Sequence, residues 1–357
     1  MSKDIYVVIE QRNGAIQKVS YELIGEATKL AADMGEQVVA VLLGYNVADK
    51  AQTLIHYGAS KVLVLDEPVL EHYTTEPYVK GVEYIIKTYD PNVVLFGASS
   101  IGRDMAPRVA GRVHTGLTAD CTRLDIDVAK YQEYLRTSTN VPAEKIDALD
   151  ATNRNLKMTR PAFGGNVMAT IICPNYRPQM ATVRPGVMAM PEKDTTRTGE
   201  VIKVDAGLCD GDKNVEILDV VKNSKKSVDI TDAKVLVSGG RGVGGAAGYE
   251  PLRALAAELG GEVSSSRIGV DSGWIEKDRQ VGQTGKTVHP NLYIACGISG
   301  AIQHLAGMED SDFIIAINKD ENCPMMKLAD LGIQGDLNVI IPKLTEAIKA
   351  YRASQNV

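Results

Sequence analysis

Through the N-terminal part of the chain, short apolar runs at 5–10, 37–44, 61–66 and 92–97 alternate with amphipathic stretches of helical period at 19–34 and 78–89. That alternation predicts βαβ units on a parallel sheet. Val38, Val39, Ala40, Val41, Leu42 and Leu43 are apolar without a break, and so are residues 93–96, as strands covered on both faces require. Between 125 and 156 the pattern gives way to charged text (Asp127, Lys130, Glu133, Glu144, Lys145, Asp147, Asp150), which reads as an exposed excursion. Strands are expected again at 165–172 and 180–183, joined by a loop with Pro174 and Pro178 and closing the first domain. The Pro-, Lys- and Asp-rich text up to 231 suits a connection.

A second α/β unit starts at Lys234, where the strand 235–238 enters a turn of Gly239, Gly240, Arg241, Gly242, Val243, Gly244 and Gly245, followed by a helix near 251–259. Strand, glycine turn and helix form a nucleotide-binding start. The spacing G-x-G-x-x-G at Gly240, Gly242 and Gly245 is also what a tight turn without a ligand shows; Arg241 inside it favours an anion. A unit of the NAD type places an acid at the end of the next strand, about 20 residues on. Here that strand ends in Ser266 and Arg267, with Glu262 at its start. These two read as ligands to a phosphate or flavin edge, or as a solvated strand end.

The loop 280–286 brings Val281, Gly282, Gln283 and Thr284 together, whose amides and hydroxyl suit a heteroaromatic ring, although a plain surface turn explains it as well. Strand 292–296 leads into a helix read at 300–308, with Ser299 as its N-cap and free N–H groups at Gly300, Ala301, Ile302 and Gln303. Gly300 and Gly307 fall on the His304 face of that helix and clear room for a flat ligand. Strand 313–317 ends at Asn318, and a further segment ends at Gly335, Asp336 and Leu337. Ligands bind open α/β sheets at such ends, where turn chemistry alone also places Asn and Asp.

The length of 357 residues suits two domains, read as 1–190, a connection at 191–231, and 232–357. A net charge of −6 without a long basic run argues against nucleic acid. No stretch approaches the roughly 18 apolar residues of a membrane span, so no membrane insertion and a cytoplasmic location are expected. Five cysteines and five histidines are dispersed, without a Cys-x-x-Cys pair. No disulfide framework or metal site is indicated, and electron chemistry would need an organic cofactor.

In type and order, the segments 237–242, 266–267, 271–274, 280–286, 297–308 and 316–320 resemble the C-terminal FAD domain of electron transfer flavoprotein α subunits, with 102–108 and 115–121 more loosely similar. The resemblance implies two doubly wound parallel-sheet α/β domains, the C-terminal one a Rossmann-like FAD-binding domain. It implies an electron carrier paired with a smaller β subunit, passing electrons between flavoprotein dehydrogenases, such as acyl-CoA dehydrogenase, and a further acceptor, with or without bifurcation. The N-terminal domain would resemble the β subunit and hold no nucleotide, in keeping with the ordinary loop 11–14 after its first strand.

Carried over by motif, Arg241, Ser266 and Arg267 contact the flavin or its phosphates, and Val281, Gly282, Gln283 and Thr284 meet the ring, Thr284 at N5. His304 faces O2, where a protonated or polarised imidazole would stabilise negative charge. Ser299, Gly300, Ala301, Ile302 and Gln303 line the ribityl chain and pyrophosphate; Asn318, Asp336 and Leu337 hold the adenosine end. No residue is assigned a catalytic role or a metal. The chain departs from the family pattern at 125–156, at 323–326 and at Leu331. An NAD-dependent oxidoreductase fits the glycine turn but not Ser266 and Arg267, and an adenine-nucleotide-binding regulator built on the N-terminal layer is a third reading.

Overall fold

The structure, a computed structural model, describes residues 3–162, 167–219 and 229–355. Two compact units lie on either side of residues 220–228. In the first, a seven-stranded sheet has the order Glu200–Lys203, Lys61–Asp66, Val38–Gly44, Lys3–Ile9, Pro91–Gly97, Gln179–Val183, Leu117–Cys121. Every pairing in it is parallel.

Successive strand residues enter different cores. Ile5, Val7, Val38, Ala40 and Leu42 pack with Val19, Leu23, Ala27 and Leu30 of the helix Lys18–Met34. Tyr6, Val8, Val39, Val41 and Leu43 pack on the other face, with residues of the helices Thr75–Tyr89 and Ser100–Val113. Two-sided burial is the physical reason for the unbroken apolar runs.

Three segments differ from the sequence-based expectation. The stretch 125–156 folds into helices Val128–Ser138 and Ala143–Asp147, whose Tyr131, Leu135 and Ile146 make a small core. Asp127 caps the first, accepting from Lys130 N at 2.9 Å. The strand Val167–Ile171 leaves the main sheet and pairs antiparallel with Lys157–Ala162, which pairs with Arg123–Asp125; residues 165 and 166 of that expected strand lie outside the described residues. Within 191–231, Glu200–Lys203 pairs with Lys61–Val64 as an edge strand of the main sheet.

The second unit is a five-stranded parallel sheet in the order Glu262–Ser265, Val235–Gly239, Leu292–Cys296, Ile314–Asn318, Leu331–Gln334. The helices Tyr249–Leu259 and Leu337–Gln355 cover one face, through Leu252, Leu255, Leu337 and Ile341. Loops and short helices cover the other, where Val281, Val288, Ile298, Met308 and Met325 meet Leu236, Tyr293 and Ala295. The first strand lies between the second and the third, so strand order reverses there and a crevice opens at the carboxyl ends. No helix among the described residues is long and apolar enough to cross a membrane.

Candidate functional site

The glycine turn follows Gly239 at this switch point. Gly240 N donates to Cys296 O (2.9 Å) and Gly242 N to Gly297 O (3.1 Å). A Cβ at Gly240 would lie 2.7 Å from Ile298 Cγ1 and 2.8 Å from Ile298 Cα; one at Gly242 would lie 2.8 Å from Gly297 Cα. The first two glycines of the motif therefore admit a neighbouring stretch of protein backbone, a role the motif alone does not reveal. Behind them, the buried Tyr249 hydroxyl bonds Ser265 Oγ (2.6 Å) and Gly239 O (3.3 Å), fixing the strand end.

A cleft of about 750 Å³ opens over these turns, within the roughly 300–1,000 Å³ of small-molecule sites. Arg241, Ser266, Arg267, Val281, Gly282, Gln283, Thr284, Ser299, Ala301, Gln303, His304, Asn318 and Leu337 all line it. Gly300, Ile302 and Asp336 do not. Gly300, at φ +84°, is turned against the backbone of Met325, where a Cβ would lie 2.9 Å from Met325 Cα. Ile302 is exposed beside the cleft. Asp336 accepts from Asn338 N (2.9 Å) at the start of the last helix and pairs with Lys319 (2.9 Å), which holds its carboxyl below the usual range.

The helix expected at 300–308 is shorter, Ile302–Leu305, and Ala301 rather than Ser299 stands at its N-cap. Ser299, Gly300 and Ala301 instead form a non-helical turn whose N–H groups donate to no backbone carbonyl among the described residues. Gly307 does not clear a ligand surface: a Cβ there would lie 2.5 Å from Gly282 Cα, so the two backbones touch.

The loop 281–284 is held on the helix Ile302–Leu305 by Gln283 N, which donates to Gln303 O at 2.7 Å. Thr284 Oγ1 accepts from Gln280 Nε2 (3.0 Å), leaving its hydroxyl proton for another acceptor. Asn318 is committed internally, donating to Ile298 O (2.9 Å) and accepting from Asp320 N (3.1 Å), so it braces the turn that lines the cleft. Gly297, Ile298, Asp271, Lys319 and Cys323 also line the cleft, without having been singled out as site residues. Their signal was adjacency to strand ends and, for Asp271, the (i, i+4) spacing from Arg267, which it pairs at 3.0 Å. Arg241 is exposed at the cleft and makes no ion pair among the described residues.

His304 departs from the charged or polarised donor that sequence suggested. It is 6% exposed, and burial pulls its pKa from 6.5 down to about 4, so the ring is neutral near pH 7. Nδ1 lies 3.1 Å from Val281 O and Nε2 lies 3.0 Å from Tyr293 Oη. Both ring nitrogens are occupied within the protein.

A doubly wound unit with a switch-point cleft, cationic at Arg241 and Arg267 and rich in backbone and hydroxyl donors, defines a nucleotide-cofactor-binding α/β protein. Residues 5–208 match the electron transfer flavoprotein domain model, and residues 229–309 match the electron transfer flavoprotein FAD-binding domain. The electron transfer flavoprotein subunit alpha of Thermoanaerobacterium thermosaccharolyticum is 52% identical over 350 residues, 98% of this chain and 99% of that protein. The acryloyl-CoA reductase electron transfer subunit beta of Anaerotignum propionicum is 49% identical over 97% of this chain and 96% of its own length. The LctC subunit of a lactate dehydrogenase (NAD(+),ferredoxin) of Acetobacterium woodii is 39% identical over 97% of this chain and 77% of its own. The chain belongs to the electron transfer flavoprotein family, on its alpha-subunit side, and is an FAD-dependent electron carrier. The NAD-dependent alternative is not favoured.

Proposed function

We propose that the switch-point cleft is the FAD site and that the chain works beside a smaller β subunit. In this reading it takes electrons from flavoprotein dehydrogenases of the acyl-CoA type and passes them to a further acceptor. The observation that carries the reading is the cleft itself, in which Arg241 stands over the first strand end without an ion-pair partner among the described residues.

The residues present fit the group chemically: two guanidinium groups, N–H groups at 299–301 and hydroxyls at Ser266, Ser299 and Thr284 that donate to nothing among the described residues suit phosphates and a ring that gains charge. FAD, when bound, supplies the redox centre, which takes up and gives up electrons. The protein supplies position and electrostatics. Arg241 and Arg267 offset negative charge, the second more weakly because Asp271 already holds it. Thr284 offers its hydroxyl proton to a ring nitrogen, and Ser299, Ala301 and Gln303 line the pyrophosphate and ribityl path. Leu337 forms an apolar wall at the adenosine end, while Asn318, Gly300 and Asp336 shape the walls from behind.

The N-terminal unit, in this reading, holds no nucleotide and serves contact with the β subunit. The name of one relative, an acryloyl-CoA reductase electron transfer subunit, supports a CoA-thioester dehydrogenase system, and the one that pairs NAD(+) with ferredoxin supports bifurcation as a second reading. Five free cysteines suit a reducing compartment, and the cytoplasm is the proposed location. Co-expression with the β subunit, an absorbance spectrum and a flavin count per heterodimer test the proposal. Oxidised-flavin bands are expected; a colourless complex that FAD does not reconstitute overturns it.

A further inference from the structure

The histidine in the cleft wall is held by a residue that no motif points to. Val281 O is an acceptor only, so the nitrogen 3.1 Å from it, Nδ1, carries the ring proton. A second proton on Nε2 would bury an imidazolium. The groups packed against the ring are the Tyr293 phenol from the strand Leu292–Cys296 and the Val281 carbonyl from the loop, and no charged group among the described residues acts on it. Nε2 is therefore bare and the Tyr293 hydroxyl donates to it at 3.0 Å.

Tyr293 is fully buried, and burial raises its phenol above the ordinary range, so it stays a donor at every working pH. Ser238 and Ser264, also fully buried, bring hydroxyls toward the phenol oxygen. Both stop short of a well-formed hydrogen bond. The phenol oxygen thus keeps polar company while its proton goes to the histidine.

We propose that Tyr293 is a positioning residue of the cleft, holding His304 as a neutral imidazole protonated on Nδ1 and thereby anchoring the loop that carries Thr284. The chain of bonds runs from the central sheet through Tyr293 and His304 to Val281 O, and Gln283 N returns from the loop to Gln303 O. The loop is tied at two points to one short helix. The positive charge offered to a bound flavin then comes from the two arginines and not from His304. That last consequence rests on the FAD reading of the cleft; the tautomer does not.

The test is ¹⁵N NMR of the full chain labelled at histidine, with His304 assigned by the signal lost in His304→Gln. The expected wild-type spectrum shows Nδ1 protonated and Nε2 bare from pH 8 to pH 5. In Tyr293→Phe the neutral ring loses its donor, and its proton affinity should rise about tenfold, the size of one hydrogen bond. In the FAD-loaded heterodimer the same variant should give a first-electron potential that depends on pH near 5 more steeply than that of the wild type. A wild-type ring protonated on Nε2, or on both nitrogens near pH 7, overturns the proposal even if Tyr293→Phe does not fold. So does a variant that titrates as the wild type does. A chain that takes up no FAD refutes the reading of the cleft and leaves the tautomer measurement decisive for Tyr293.

Discussion

Gly240→Ala puts a single methyl group between two strand-end turns. The native φ of Gly240 is −111°, open to any residue, so the cost comes from collision and not from backbone strain. The new Cβ would meet the carbonyl oxygen of Gly297 and lie 2.8 Å from Ile298 Cα, both backbone atoms that no rotamer change can clear. The turn 297–298 is held by Gly242 N on Gly297 O (3.1 Å) and by Asn318 Nδ2 on Ile298 O (2.9 Å). Yielding costs about 1–3 kcal/mol of overpacking and weakens bonds of about 1 kcal/mol each. Because the turn lines the cleft, about 1.4 kcal/mol of displacement passed on to binding lowers FAD affinity tenfold. Equilibrium dialysis of the flavin against wild type and variant reads this, with a melting curve to report the stability loss. Gly244→Ala is the control: Gly244 has φ +82° and open space, so it should cost stability without moving the cleft wall. Unchanged FAD affinity in folded Gly240→Ala would refute the reasoning.

Arg241→Gln should lower the first-electron potential of the loaded heterodimer, since one charge-assisted hydrogen bond of ~1.5–3 kcal/mol corresponds to roughly 65–130 mV at 59 mV per tenfold. Arg267→Gln should lower it less, because Asp271 already takes part of that charge; redox titration of both variants decides the order. Lys157→Met removes an ammonium that donates to Ile126 O (2.8 Å), Asn153 O (3.2 Å) and Asn155 O (3.2 Å). It should cost at least about 1.5–3 kcal/mol, seen as a lower melting temperature with FAD affinity unchanged. His304 has a folded pKa of about 4 against 6.5 unfolded, so the unfolded chain binds more protons between those values. Its penalty is absent above about pH 6.5 and complete below about pH 4, roughly 3 kcal/mol in all; His304→Gln should flatten that share of the denaturation profile, measured in urea.

The N-terminal sheet was legible because its central strands are buried on two faces, and 38–43 and 93–96 hold no polar residue; the C-terminal one was legible from the glycine turn that follows its first strand, since its own strands bury Ser238, Ser264 and Ser265. What escaped had weaker local signals. Glu200–Lys203 is half charged and stands as a strand through its neighbour Lys61–Val64, a tertiary effect that no window of sequence carries. In 125–156 the charges mark the outer faces of two helices, while Tyr131 and Leu135, four apart, mark the inner face of the first. The 300–308 helix shrinks because Gly300 takes a left-handed φ against Met325 and Gly307 abuts Gly282. In the cleft, polar residues after strand ends were visible by position, whereas the partner of His304 was not. Tyr293 sits on a buried strand and reads as core.

The two units share a plan and differ in what occupies the crevice at the carboxyl ends of their strands. In the N-terminal unit the corresponding space, between Lys3–Ile9 and Pro91–Gly97, is a void of about 20 Å³ lined by Gln11, Tyr73, Tyr78, Phe96 and Ile101. Gln11 Nε2 donates to Leu43 O (3.3 Å) and Tyr78 Oη (3.2 Å), Tyr78 donates to Leu70 O (2.8 Å), and Ser99 Oγ takes Gly102 N (3.1 Å) at the helix start. The donors that could meet a phosphate there are spent on protein. In the C-terminal unit Arg241, the N–H groups at 299–301 and the Thr284 hydroxyl proton are not spent on any of the described residues. The same fold therefore supports opposite readings of its two crevices, and the deciding quantity is which polar groups the chain leaves unspent, not the order of the strands.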